Sequence, residues 1–306
     1  MSNEKNKKNE YWRKDVKEIE EDSIHSSQYL ADQALMIIET FIRKELYHNR
    51  TELLQNLSKL GNALVRAKPL MALIYARAHR VIEFIQNIPK EERDIQVIKQ
   101  MTLQEIQNIR EESEKRKNEI TRLGARLIMD QHIVFTHSAS SNVESILMEA
   151  KRQKKRFQLI CTESRPRYEG TKLAQKMAAA GIKTYLIPDA DMVRAVEKAH
   201  FVLVGADRIT ENSFINKTGT GAIACVAKIL EKPFYIATDS DKILLKRTYP
   251  VRFNSVNESE LLENPDPDSN LHIQNYYFEE VLLSYVHKVI CETSIFETPE
   301  FIERFL

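Results

Sequence analysis

The chain has 306 residues, 42% of them hydrophobic, with 45 Lys and Arg against 44 Asp and Glu for a formal charge of +1. That length allows two domains or one large α/β domain, and that apolar content excludes a globally disordered chain. The balanced charge gives no field for nucleic acid or an anionic membrane, and only seven glycines point to a chain that is largely helix.

Residues 1 to about 20 open with "MSNEKNKKNEYWRKD", polar and without an apolar stretch, so they read as a flexible arm and not as a secretory signal. From about 21 to 130 the pattern is that of a helical domain. Leu30, Ala34, Leu35, Ile38, Phe41 and Ile42 make one apolar face; Leu53, Leu57, Leu60 and Leu64 make another. A third helix, "KPLMALIYARAHRVIEFI", is expected to start on Pro69, where a missing amide does no harm. A long helix from about Glu91 to Leu127 carries "REESEKRKNEITR", read as a solvated face. No run of about 18 apolar residues marks a membrane span, so the expected location is the cytoplasm.

At His132 the hydrophobic period changes. "HIVFTH", "FQLICTE", "KTYLIP", "FVLVGAD" and "PFYIATD" are apolar runs of strand length, with helical segments at 140–152, 171–180, 191–199 and 220–231. This alternation predicts an α/β domain over 131–306: a Rossmann-like, mostly parallel sheet with helices on both faces. Residues 254–270 form a polar loop, and the tail has room for one more helix and a strand. Cys161, Cys225 and Cys291 make neither a disulfide framework nor a metal pattern, so no metal or other cofactor is expected. Cys161 and Cys225 read as buried thiols.

Ligands of open parallel sheets bind outside the carboxyl ends of the strands. The first strand ends in Thr136, His137 and Ser138, and the second in "TESRPRYEG", with Glu163, Arg165 and Arg167. The fourth ends in "GADRITENSFINKTGTG", with Asp207, Arg208, Asn216 and Lys217, and the fifth in Asp239, Asp241 and Lys242. Two of these edges enter helix starts, Ser140-Ser141-Asn142 and Thr218-Gly219-Thr220-Gly221, which favour anions. With Arg165, Lys217 and Lys242 as charge-assisted donors, the expected ligand is a phosphorylated small molecule. Ser140 and Thr218 also fit as plain helix caps, Asp207 as a partner of Arg208, and His137 as a structural histidine. "TGTG" lacks the Walker lysine and the dinucleotide glycine spacing.

"FTHSAS", "TESRPRYEG", "VGADRI", "INKTGT" and "KPFYIATDSDK", in that order, resemble the alpha, beta and delta subunits of eukaryotic initiation factor 2B. They equally resemble ribose-1,5-bisphosphate isomerase and methylthioribose-1-phosphate isomerase. The likeness covers the C-terminal domain, including "FEEVLLSYVHKVICET"; "HSSQYLADQAL" and "KPLMALIYA" resemble the family's helical domain. The resemblance implies catalytic positions at Ser138, where the isomerases carry cysteine, and at Asp207. It implies phosphate and sugar contacts at Ala139, Ser140, Asn216, Lys217 and Lys242. The isomerases' N-terminal phosphate loop, rich in Arg and Gly, is poorly matched by "EDSIHSSQ". A thiol of pKa about 8.5 moves protons at neutral pH, and an unactivated serine hydroxyl does not. The expectation is a protein that binds a phosphorylated sugar or nucleotide and has aldose–ketose isomerase ancestry; the alternative is a non-catalytic regulatory subunit of the initiation factor 2B type. Asp207 favours catalysis and Ser138 disfavours it. The family's dimers, and the apolar tail "VLLSYVHKVI", point to a homodimer or a larger even oligomer.

Overall fold

A computed structural model of the chain describes residues 12–22, 24–44, 47–264 and 270–306. The chain divides into two compact units, Met1–Lys115 and Arg116–Leu306.

In the first unit, α1 (Trp12–Glu21), α2 (Ser27–Lys44), α3 (Arg50–Ala67) and α4 (Ala72–Asn87) precede α5 (Ile95–Leu127), which begins here. Helix α3 packs on α4, α2 on α4, and α1 on both α2 and α3. The two apolar faces expected from the sequence are the core: Leu30, Leu35, Phe41, Ile42, Leu53, Leu57, Leu60 and Leu64 are all buried. Each such side chain contributes about 1.5–3 kcal/mol of transfer free energy. Arg77 is buried among them, its Nη1 donating to the Asp32 carboxylate and its Nη2 to Ser113 Oγ at 3.0 Å. A guanidinium withdrawn from water requires such partners.

Two expectations change here. Of the expected arm, residues 1–11 lie outside the described residues, and the rest is α1, with Trp12, Val16 and Ile19 buried. Those three recur at i, i+4 and i+7, a single stripe hidden in a charged segment. Pro69 does not start a helix: it lies in a turn closed by Met71 N–H donating to Lys68 O at 3.0 Å, and α4 begins at Ala72.

The second unit contains β1 (Ile133–Thr136), α6 (Ser141–Arg152), β2 (Gln158–Thr162), α7 (Glu169–Ala179), β3 (Lys183–Ile187), α8 (Met192–Lys198) and β4 (Phe201–Gly205). There follow β5 (Arg208–Ile209), β6 (Ser213–Lys217), α9 (Thr220–Ile229) and β7 (Phe234–Ala237). The chain ends with β8 (Phe278–Leu282), β9 (Lys288–Ile290), β10 (Ile295–Glu297) and α10 (Thr298–Phe305). Seven strands form one sheet in the order β10-β9-β7-β4-β1-β2-β3, parallel except where β10 meets β9. Alternation along each strand feeds two cores. Phe135, Ile160, Val202 and Val204 face one way, under residues of α8, α9 and α10. Val134, Leu159, Cys161 and Leu203 face the other, under α6 and α7.

Ile120 and Ala125, near the end of α5, also belong to that second core, packed with Val143, Ile146 and Leu147. The compact unit includes α5 from Arg116 onward: the change of period at the expected 130 marks the first strand, and the helix before it is already part of the sheet's cover. A small antiparallel sheet, β5-β6-β8, was not expected. Its middle strand is "SFINK", whose polar Ser213, Asn216 and Lys217 flank Phe214 and Ile215 and read as loop, yet all five are buried. The tail holds three strands and a helix, and it buries Val281, Leu283, Val286, Val289 and Ile290 within the unit. Cys161 is buried as expected; Cys225 is exposed, on the outer side of α9.

Trp12 is the only tryptophan and is 8% exposed. Its fluorescence is expected to be blue-shifted from free tryptophan and to move to the red on unfolding. Emission at the free-tryptophan wavelength in the native protein would detach α1 from the core.

Candidate functional site

Strand order in the main sheet reverses between β1 and β4: β1, β2 and β3 run to one edge, and β4, β7 and β9 to the other. Loops leaving such a switch point diverge and open a crevice at the carboxyl ends. Ser138 arrives there from β1 in the left-handed region, φ 64°, and its amide donates to Ser164 Oγ at 2.8 Å. That conformation costs a non-glycine residue about 1–3 kcal/mol. The Ser138 hydroxyl has no hydrogen-bond partner among the described residues. Asp207 arrives from β4, half-buried, with its amide donating to Ile215 O at 2.8 Å and its carboxylate unpaired among the described residues.

Ser140 caps α6, accepting from Val143 N–H at 3.5 Å, and lies against Gly205. A Cβ added at Gly205 would sit 2.4 Å from Ser140 Oγ, so only glycine lets β4 and the α6 start approach this closely. The amides of Ser141 and Asn142 donate to no described residue. Ala139 beside them is exposed. Lys242, 4% exposed, donates from Nζ to Ala206 O at 2.7 Å. Ser140 and Lys242 thus both bear on the end of β4, next to Asp207.

Lys217, 3% exposed, ends β6 with its Nζ 2.9 Å from Glu169 Oε1 and 5.4 Å from the centre of the Tyr277 ring. The other oxygen of Glu169, Oε2, is buried without a partner. Asn216 donates to Thr220 Oγ1 at 3.0 Å. Tyr277 donates to Glu260 at 2.7 Å, and Glu260 also pairs with Arg167.

The remaining residues named from the sequence are placed otherwise. Arg165 is exposed, its guanidinium 5.3 Å over the Tyr168 ring, with only its amide engaged, donating to Asp189 Oδ2 at 2.7 Å. Arg208 does not pair with Asp207. It is buried and donates from Nε to Leu244 O at 2.6 Å and from Nη2 to Leu245 O at 3.1 Å and to Tyr249 O; burial lowers its pKa. Asp239 and Asp241 are held by Arg116, whose Nε is 3.2 Å from Asp239. Burial opposes the Arg116 charge, but the two carboxylates outweigh it and raise its pKa.

The expected anion site at Thr218–Gly221 is filled by the protein itself: Glu279 Oε1 accepts from Gly219 N–H at 2.7 Å and Gly221 N–H at 2.8 Å. The positive end of α9 has its negative charge built in. Arg116, Glu169 and Glu279 lie within "REESEKRKNEITR", "TESRPRYEG" and "FEEVLLSYVHKVICET", but nothing in those stretches marks them for this edge; Tyr277 and Glu260 lie far along the chain from the strand ends they approach. Asp189 was within reach, because the strand-end rule applied to "KTYLIPDAD" names it.

Among the described residues no group of three or more His, Cys, Asp or Glu could hold a metal ion, and no helix is long and apolar enough to cross a membrane.

The fold agrees with what the chain is similar to. The sequence model of the Initiation factor 2 subunit family matches residues 23–298, and the chain belongs to this family. It is 30% identical over 289 residues to the translation initiation factor eIF-2B subunit 2-like protein of Pyrococcus horikoshii, covering 94% of this chain and 97% of that one. It is 33% identical over 190 residues to the ribose 1,5-bisphosphate isomerase of Archaeoglobus fulgidus, covering 62% and 59%. The crystal structure of the Pyrococcus horikoshii translation initiation factor eIF-2B superposes with a TM-score of 0.76 at 28% identity, over 94% and 98% of the two chains. The same fold occurs at 18% identity in 5-methylthioribose 1-phosphate isomerase of that organism, with a TM-score of 0.76 over 95% and 87%.

None of the three cysteines lies at the end of β1. Burial pushes the Cys161 thiol up to about 12, and burial followed by Glu292 raises Cys291. A thiol reagent at pH 8 is therefore expected to titrate one fast group, Cys225, in the native protein, and three after denaturation. Fast reaction of Cys161 in the native state would contradict its burial under α7.

Proposed function

We propose that this protein binds a phosphorylated sugar at the carboxyl edge of its sheet and is at best a poor aldose–ketose isomerase. The observation that carries this reading is the Lys217–Glu169 pair: a buried ammonium anchors one carboxylate oxygen and leaves the other, Oε2, as a buried acceptor in need of a donor. A sugar hydroxyl is such a donor, and an unmet buried acceptor costs about 1–3 kcal/mol. Phosphate needs donors instead, and the open amides at the start of α6 supply them, with Ser140 and Lys242 bearing on the neighbouring end of β4. Asn216 and Ala139 complete the lining that the family resemblance implies.

Ser138 and Asp207 are the catalytic positions. Aldose–ketose isomerisation moves a proton between adjacent carbons, so it needs groups that exchange protons near pH 7. Asp207 has an open carboxylate. Ser138 has no base within hydrogen-bond reach, since the neighbouring imidazole of His137 is held by Thr162 and Thr218. The alternative, a regulatory subunit that senses the same ligand, draws on this absence of an activated nucleophile.

Calorimetric titration with ribose 1,5-bisphosphate and methylthioribose 1-phosphate tests binding. Lys217→Ala is expected to weaken the bound sugar phosphate by about 1.5–3 kcal/mol; unchanged affinity removes Lys217 from the site. Turnover of either compound is expected to be weak and to rise in Ser138→Cys. Robust native turnover that survives Ser138→Ala but not Asp207→Asn would make the protein an enzyme working through Asp207 alone. We further propose a cytoplasmic homodimer. Its scattering mass would be twice the chain's 35.6 kDa and its place the soluble cell fraction; a single-chain mass at micromolar concentration removes the dimer.

A further inference from the structure

His137 is 3% exposed, and both of its ring nitrogens are engaged. Nε2 lies 2.9 Å from Thr218 O, and Nδ1 lies 2.6 Å from Thr162 Oγ1. A carbonyl oxygen only accepts, so Nε2 carries the proton. In the neutral ring Nδ1 is then an acceptor, and Thr162 is its donor. Thr162 Oγ1, its hydrogen committed, can only accept from Ser164 Oγ at 3.1 Å. Ser164 Oγ in turn accepts from the Ser138 amide at 2.8 Å. A backbone amide at one end and a carbonyl at the other fix the protons of His137 and Thr162, while the Ser164 hydroxyl proton has two acceptors on Thr162, Oγ1 at 3.1 Å and the carbonyl O at 3.4 Å. All the donors run in one direction, from Ser138 N–H through Ser164, Thr162 and His137 to Thr218 O, an arrangement in which each bond strengthens the next.

Three strand-end loops meet in this chain: that of Ser138 after β1, that of Ser164 after β2, and the Thr218–Gly219 turn after β6. Gly219 makes room for the ring. It has φ 105°, and a Cβ there would lie 3.1 Å from His137 Nε2. We propose that His137 is the positioning residue of this edge: as a neutral imidazole protonated on Nε2, it sets the Ser138 backbone and the Lys217-bearing turn in one arrangement. The role of Ser138 and Lys217 as ligand contacts rests on the function proposed above; the hydrogen-bond chain itself does not.

An imidazolium could not accept from Thr162, so protonation breaks the order of the chain. The groups around the ring are Thr162 and Ser164 from β2 and its loop, Asp189 from the loop after β3, and Lys217 with Thr218 from the end of β6. Burial, the largest influence, lowers the His137 pKa below its ordinary 6.5; Thr218 O and Asp189 oppose this, and Lys217 adds to it. The sign follows: the folded protein resists a proton that the unfolded chain binds, so the contribution of His137 is intact above pH 6.5 and stability falls as pH drops below it.

Histidine ¹⁵N NMR on the unmodified protein at pH 7 is expected to give the neutral Nε2–H form for His137; the Nδ1–H tautomer or an imidazolium there overturns the proposal. His137→Phe keeps the ring shape and removes both hydrogen bonds. In that variant the Ser138 amide is expected to exchange its proton at least tenfold faster, while amides in the middle of β1 stay protected. His137→Asn, which can still accept from Thr162, is expected to restore part of the protection. Unchanged Ser138 exchange in a folded His137→Phe also overturns it. If His137→Phe does not fold, the tautomer decides. Failure of sugar phosphates to bind the unmodified protein strikes the proposed function and leaves these two readouts standing.

Discussion

The reversal of strand order between β1 and β4 is the constraint from which the rest of this edge follows. Both strands are buried on both faces, because α6 and α7 cover one side of the sheet and α8, α9 and α10 the other. Polar chemistry has no place along Val134–Phe135 or Val202–Val204, where every inward position is needed for apolar contact. It is confined to the carboxyl ends, and at a reversal two such ends lie side by side with diverging loops. The ends of β1 and β4, from which Ser138 and Asp207 follow, are neighbours in the sheet for that reason, although 69 positions separate the two residues in the chain. The small sheet β5-β6-β8 then brings a third element to the edge, tied on by Asp207 N–H donating to Ile215 O at 2.8 Å.

Charge is dense here, and most of it is balanced within the fold. Lys217 has Glu169, Arg116 has Asp239 and Asp241, Glu279 has the amides of α9, and Lys242 has Ala206 O. Each partner offsets a desolvation cost of several kcal/mol per ion. The edge is therefore a set of fixed dipoles and not a loose cationic patch that would attract any polyanion, in keeping with a net charge of +1. Among the described residues the groups left without a partner at this edge include the Asp207 carboxylate, the Ser138 hydroxyl, the first amides of α6, Glu169 Oε2 and Arg208 Nη1. On the proposed reading, the acceptors Asp207 and Glu169 and the donors of Ser138 and α6 meet a polyol that also carries phosphate.

The sequence made the large sheet legible because buried parallel strands must be near-continuous apolar runs, and "IVFT", "QLICT" and "FVLVG" are such runs. It hid β6 because a strand whose polar residues are buried against specific partners has the composition of a loop. Asn216 and Lys217 read as part of the loop after the fourth strand, whereas the structure places them at the end of a strand of their own, one bonded to Thr220 and the other to Glu169. The α1 helix was hidden by its charge and Cys225 by its apolar neighbours; in both, composition spoke for the segment while the facing of single residues decided burial. Glu279 was illegible in principle. Whether a helix start stays open to anions depends on what a distant strand, here β8, brings to it.

The geometry of the Ser138 loop is also independent of the atom that distinguishes serine from cysteine. The loop is held through the Ser138 amide, Ser164, Thr162 and His137, and through the close contact of Ser140 with Gly205. None of these interactions uses the Ser138 side chain, so a change from thiol to hydroxyl leaves the left-handed backbone and the start of α6 where they were. On the proposed reading, this is how ligand binding persists in a chain whose proton chemistry has weakened. On that reading recognition belongs to the backbone, the buried lysines and Glu169, while proton transfer belongs to Asp207 and to the Ser138 hydroxyl, whose acidity the surrounding residues do nothing to raise.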